Sequence, residues 1–346
     1  MTTVRRVAWN RLPLFLLGAL SLLAGMAAGL IRLGWDGPAA GAAWFHGALM
    51  VGGFFGTIIC LERATALARP WTWTAPALSG LGGLALIAGN EDAGALLITA
   101  ASLVFLVMAA VVLRRQWALF TVVLGLGALA WAAGNLMWLG GGPLEAAIAW
   151  WAAFLILTIA GERLELSRFL KPSRWRAWLA VPPLALVLAA PLAGPALWPV
   201  LGGGLLLLAV WLLQNDIARQ TIRQQGLTRY VAVALLSGYG WLMVAGLLAV
   251  AAPHWDAILH AIFIGFVFAM VFGHAPVILP AVLRVSLPYT RLFYLPLAVL
   301  HFTLALRIGA DLAGLDGLRF WAGGGNVAAI LFFLILTASR AVKGRR

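Results

Sequence analysis

Residues 257–279 read AILHAIFIGFVFAMVFGHAPVIL, an unbroken run without Asp, Glu, Lys or Arg that carries two histidines, His260 and His274. At about 1.5 Å per residue, a helix of this length reaches roughly 35 Å, enough to cross the hydrocarbon of a bilayer. Apolar runs of the same kind recur from Leu12 to Ala341 with only short polar breaks between them. The expected spans are 12–31, 44–63, 75–90, 94–113, 117–138, 145–163, 177–192, 196–213, 228–251, 257–279, 292–310 and 319–339. The chain therefore reads as all-α: a polytopic integral membrane protein of about 12 transmembrane helices, forming a single transmembrane domain over residues 1–346.

Composition supports lipid as the solvent. With 63% apolar and 10% charged residues, the chain lacks the polar surface that a water-soluble globule needs. In a soluble protein a net charge of +13 would suggest nucleic acid, but here the basic residues fall at every second break, which argues against a nucleic-acid partner. The clusters are Arg5, Arg6 and Arg11; Arg63 and Arg69; Arg114 and Arg115; Arg163, Arg168, Lys171, Arg174 and Arg176. They continue with Arg219, Arg223 and Arg229; Arg284 and Arg291; and Arg340, Lys343, Arg345 and Arg346. Only Arg32, Arg307 and Arg319 lie elsewhere. The positive-inside rule then places both termini in the cytoplasm of a bacterial-type inner membrane. The basic start and apolar run at 12–31 also fit a secretory signal, but the length of that run and its place in the alternation favour a retained helix.

Cys60 is the only cysteine, which excludes an intramolecular disulfide and thiolate-rich metal centres and leaves nitrogen or oxygen ligands for any metal. Trp44, Trp71, Trp117, Trp138, Trp198, Trp255 and Trp321 fall near span ends, where indoles anchor a protein at the membrane interface. The glycine-rich stretches at 52–56 and 125–127 permit close helix approach without indicating a chemistry.

Four of the five histidines lie in or at expected spans: His46, His260, His274 and His301. An imidazole in hydrocarbon is costly unless it binds a metal, bonds a neighbouring helix or lines a wet path. His46 and His260 each sit within about one turn of the outer end of a span that runs inward, so on neighbouring helices they reach one iron from opposite faces, as in a six-coordinate haem. His274 lies roughly 21 Å further along the helix from His260 and cannot share that iron. His274 and His301 form a second candidate pair, for copper or a high-spin haem, with a hydrogen-bonded polar pocket as the alternative. His254 falls in an outside loop.

Two acidic and basic pairs, Glu62-Arg63 and Glu162-Arg163, close spans at the cytoplasmic boundary. They suit a proton entry point or, as the favoured reading, a stop signal whose long side chains reach the interface. Spans two, six and ten start about a hundred residues apart, which suggests three repeated four-helix units.

Twelve spans, with histidines at one outer level in spans two and ten, resemble the architecture of haem-copper oxidase subunit I. The segments Trp44-Phe45-His46-Gly47, the glycine-rich run to Glu62, and His260-Ala261 leading through Gly265 and Met270 to Gly273-His274 are more similar to the NnrS family of nitric-oxide-response membrane proteins. The likeness covers the chain by topology and is specific at these two helices. It implies haem b, with copper as a further metal, and a part in nitric oxide or nitrogen-oxide metabolism or electron transfer, with a gaseous ligand or an electron donor as partner. His46 and His260 are the preferred axial ligands; His274 and His301 stand second. The chain departs from these families in having one histidine in span two where a His-x-His arrangement is usual, and none in spans six and seven. That removes the copper ligands of an oxidase and argues against proton-pumping oxygen reduction. The rival reading is a secondary transporter of a small molecule without a redox cofactor, and an assembly role is a third.

Overall fold

The computed structural model describes residues 8–37, 40–168 and 174–343, and they are helical without a strand among them. Arg5, Arg6, Lys171, Arg345 and Arg346 of the basic clusters lie outside the described residues. Eleven helices are long and apolar enough to cross a membrane. They are α1 (Trp9–Arg32), α2 (Ala43–Leu67), α4 (Glu91–Arg115), α5 (Leu119–Leu139), α6 (Leu144–Ser167), α7 (Trp175–Leu192), α8 (Gly194–Asn215), α9 (Gly226–Ala251), α10 (Trp255–Leu283), α11 (Arg291–Ala313) and α12 (Asp316–Lys343). The span expected at 75–90 is the shorter helix α3 (Thr74–Ile87), which continues a 3₁₀ segment, Pro70–Trp73. At about 2.0 Å per 3₁₀ residue and 1.5 Å per α residue, the two together reach roughly 29 Å, close to the hydrocarbon thickness.

Local chemistry sets the helix ends. The Asn90 side chain accepts the Ala93 N–H at 3.0 Å and caps α4, whose first turn carries Glu91 and Asp92 and whose last carries Arg114 and Arg115, each sign matched to the helix dipole. Gly314, at φ 66°, ends α11 in the left-handed conformation that a residue without a Cβ adopts at little cost. His254 caps α10 by accepting the Ala257 N–H at 3.4 Å.

Two helices change pitch internally. Leu49–Gly56 in α2 and Ala261–Phe268 in α10 are π-helical, eight residues each. Widening the turn shifts backbone carbonyls off their usual partners, and in α2 side chains take these up: Ser79 Oγ donates to the Gly52 carbonyl at 2.7 Å and Thr57 Oγ1 to that of Gly53 at 2.6 Å.

The chain packs as two compact units, not the three four-helix units expected from the spacing. The first comprises residues 1–117, 128–151 and 277–286, the second 118–127, 152–276 and 287–346. In lipid there is no hydrophobic drive between helices, so each unit relies on close contact. In the first, α1 presents Gly18, Ser21, Gly25 and Gly29 to α2; a Cβ on Gly53 would lie 2.7 Å from Ser21 Oγ and 3.4 Å from the Gly83 Cα of α3. In the second, α8 and α9 meet at Gly202 and Gly246, where an added Cβ on Gly202 would stand 2.9 Å from the opposing carbonyl. Phe272 of α10 stacks on Phe333 of α12 with centroids 4.0 Å apart.

Leucines such as Leu16, Leu96 and Leu207 are exposed on the helix surfaces, as lipid contact requires. Trp44, Trp117 and Trp321 are exposed near helix ends, in keeping with interfacial anchoring. Trp138 departs from that reading. It is buried, with its indole N–H donated to Glu91 Oε1 at 3.1 Å, and its ring meets Trp151 edge-on.

Candidate functional site

The structure places His46 in the first unit and His260, His274 and His301 in the second. His46 stands in the opening turn of α2, three residues before the π segment begins. Its Nδ1 lies 2.7 Å from the Gly25 carbonyl of α1. A carbonyl only accepts, so Nδ1 carries the proton and the ring's lone pair resides on Nε2. The ring seats itself in a notch made by Gly25-Met26-Ala27-Ala28-Gly29: an added Cβ on Gly29 would fall 2.8 Å from His46 Cε1 and 2.9 Å from Nδ1. Here the missing side chain of Gly29 admits the imidazole, while the Cβ position of Gly25 faces Met50 and Leu49.

His260 repeats the pattern in the second unit. It ends the first turns of α10 and the π segment starts at the next residue. Its Nδ1 lies 2.7 Å from the Asp256 carbonyl, which selects the same tautomer with the lone pair on Nε2. The Asp256 carboxylate adds a charge: Oδ2 is 3.4 Å from His260 Nδ1, 2.9 Å from Arg307 Nη2 and 3.4 Å from Arg319 Nη2. Arg319 Nε is also 2.8 Å from Asp311 Oδ1. Asp256 thus links the imidazole to a chain of charged groups, Arg307, Arg319 and Asp311, which with Asp256 make two of each sign.

His274 and His301 are built differently. His274 donates from Nδ1 to the Met270 carbonyl at 2.7 Å, and its Nε2 accepts from Arg163 Nη2 at 3.0 Å. His301 accepts the Trp241 indole N–H at Nδ1, 2.9 Å away, which forces the opposite tautomer; Nε2–H then donates to Ser237 Oγ at 2.9 Å. Ser237 in turn donates to the Ala234 carbonyl at 3.0 Å. Both ring nitrogens of each histidine are engaged by protein groups, as in the hydrogen-bonded polar pocket. Trp241 also covers Gly265 of the α10 π segment, in the space a side chain there would need.

Among the described residues no group of three or more His, Cys, Asp or Glu side chains is placed to hold a metal ion. A haem iron needs fewer protein donors, because the macrocycle supplies four nitrogens. Taken singly, His46 and His260 each have Nδ1 hydrogen-bonded to a carbonyl, as iron-binding histidines commonly do.

Three features escaped the sequence. Arg163, read as a stop signal reaching for the interface, is 4% exposed and turned onto His274. Asp216, just past the end of α8, is buried, accepting the Ala218 N–H at 2.6 Å and the Tyr239 hydroxyl at 2.9 Å. The Asp256, Arg307, Arg319 and Asp311 group had one legible sign: Arg307 is an arginine inside an apolar span, where a charge requires a partner.

Compared with known proteins, the chain matches over residues 11–342 a family described as a domain of unknown function, DUF8744. No curated protein matches it, and no solved structure does.

Proposed function

The chain belongs to the DUF8744 family along almost its whole length, and on that premise we propose that it is a haem-binding integral membrane protein of the NnrS-like type, acting in nitrogen-oxide metabolism or electron transfer. The observation that carries this reading is the twice-built histidine. His46 and His260 each precede an eight-residue π-helix, a local distortion that concentrates at functional sites, and each fixes its tautomer with a 2.7 Å bond from Nδ1 to a carbonyl. His274, which joins α10 to α6, shares the Nδ1 bond to a carbonyl, so the π-helix that follows each ring is what sets His46 and His260 apart. His46 and His260 are the iron ligands in this reading, and haem b is the cofactor. Bound there, the haem would supply one-electron chemistry, and nitric oxide would reach the iron only by displacing one of the two imidazoles. His274 and His301 serve as hydrogen-bonding groups between helices. The membrane is a bacterial inner membrane, and both termini face the cytoplasm, as the basic clusters require.

An optical spectrum of the detergent-purified chain, oxidised and dithionite-reduced, tests the proposal together with iron analysis. A Soret band with sharp reduced α and β bands is expected for six-coordinate haem. His46→Ala and His260→Ala are each expected to abolish that spectrum, and His254→Ala to leave it intact. Loss in both single variants is expected of two ligands to one iron, whereas an unchanged spectrum in either variant rules that residue out.

A second reading has its own support. Secondary transporters also carry helices with irregular backbone at the substrate site, and α2 and α10 each contain such a segment. A colourless protein purified with haem supply assured would favour a transporter.

A further inference from the structure

We infer that Asp256 is a positioning residue for His260 that lowers the reduction potential of the haem, and that Arg307 and Arg319 limit the size of that effect by neutralising its carboxylate. The inference rests on the haem reading above. His46 and His260 share a tautomer but differ in surroundings. His46 donates to the neutral carbonyl of Gly25, at 2.7 Å. His260 donates to the Asp256 carbonyl while a carboxylate oxygen of the same residue stands 3.4 Å from the same nitrogen.

A negative charge beside Nδ1–H draws electron density toward Nε2 and makes the imidazole a stronger donor, which favours ferric over ferrous iron. Side-chain exposure is 25% at Asp256 and 16% at His260, so the charge acts through a medium less polar than water and solvent screens it only in part. Arg307, 9% exposed at its side chain, and Arg319 work in the opposite direction. Asp311, whose side chain has 0% exposure, holds Arg319 from its far side at 2.8 Å. The cluster therefore has a second role beyond fixing the ring: its balance of charge sets how readily the iron accepts an electron.

Redox titration of the full-length protein in detergent, followed at the reduced α band, tests this with Asp256→Asn and Arg307→Gln. Asp256→Asn is expected to raise the ratio of reduced to oxidised haem at a fixed potential by about tenfold, equivalent to about 59 mV for one electron. Arg307→Gln is expected to move the potential the opposite way. Opposite signs report charge, because a loosened ring would shift both variants alike. Asp92→Asn, at the exposed start of α4, provides the unshifted control. An unchanged potential in Asp256→Asn with the six-coordinate spectrum intact overturns the inference, as does a shift of the same sign in both variants. Wild-type protein that takes up no haem overturns the haem reading itself, which the spectrum shows before any titration begins.

Discussion

Single atoms decide what the histidines can do. Gly29 is the clearest case, because the His46 ring occupies the place of the side chain that Gly29 lacks. Gly29→Ala is expected to push the ring off the Gly25 carbonyl, to cost about 1–3 kcal/mol of overpacking and, under the proposed haem reading, to lower the haem retained per chain. Thermal unfolding in detergent and the ratio of Soret absorbance to protein check the two effects separately. Arg163 offers a different case. Its guanidinium is buried against a neutral imidazole, and its Nε has no hydrogen-bond partner. Arg163→Ala leaves His274 Nε2 without a donor and opens a cavity, so a loss of about 1–3 kcal/mol is expected. Arg163→Met fills the volume without burying a charge and is expected to recover part of that loss, as buried charges replaced by apolar groups often do. Unfolding midpoints for the two variants give the comparison; equal midpoints would assign the loss to the missing hydrogen bond alone.

At the scale of the helix, the π segments and the glycine contacts belong together. A helix with a widened turn presents its carbonyls at unusual angles, and only a close neighbour can satisfy them. Ser79 reaches the Gly52 carbonyl because the helices approach at Gly53 and Gly83, with Ser21 of α1 filling the remaining gap. Gly53→Ala is expected to destabilise the protein by about 1–3 kcal/mol, since its new methyl would stand 2.7 Å from Ser21 Oγ. Ser21→Gly removes that oxygen and is expected to relieve the clash. The double variant should be more stable than the two single costs added together, with a coupling of about 0.5–3 kcal/mol. Additive costs would mean that the strain falls on the backbone of α3 instead.

For the whole molecule, orientation is the property that most needs measurement. The only cysteine, Cys60, is fully buried, so an introduced cysteine is the one available to a membrane-impermeant maleimide. Ala252→Cys, in the exposed break between α9 and α10, is expected to label from outside intact cells. Gln224→Cys, exposed between Arg223 and Arg229, is expected to label only after the membrane is opened. The reverse pattern would invert the topology and place both proposed ligand histidines near the cytoplasmic face. The twofold division of the chain also changes how the recurrence is understood: what repeats is a histidine followed by a π-helix, once in each unit, and the hundred-residue spacing that included the helix beginning at Leu144 has no counterpart in the packing.

Each of the twelve expected spans coincides with a helix, because that inference needs only one segment at a time. A run of apolar residues without charge has to satisfy its own backbone hydrogen bonds in lipid, and a helix is how a single segment does so. That His46 and His260 would need partners was legible for a similar reason, since an imidazole in an apolar run is conspicuous wherever it points. The π-helices were not. Their residues are apolar on every side, and a sequence without a polar face carries no phase from which to tell one helical pitch from another. The partners of the histidines were hidden too, as was the inward turn of Arg163. A long side chain at a helix end reaches water or a neighbour equally well until the rotation of adjacent helices makes one of them nearer. The sequence by itself determined which segments are helices in lipid and which residues are too polar to be idle there. Only the tertiary structure decided what those residues touch, because a contact depends on the depth and rotation of two helices at once, and neither helix carries that information alone.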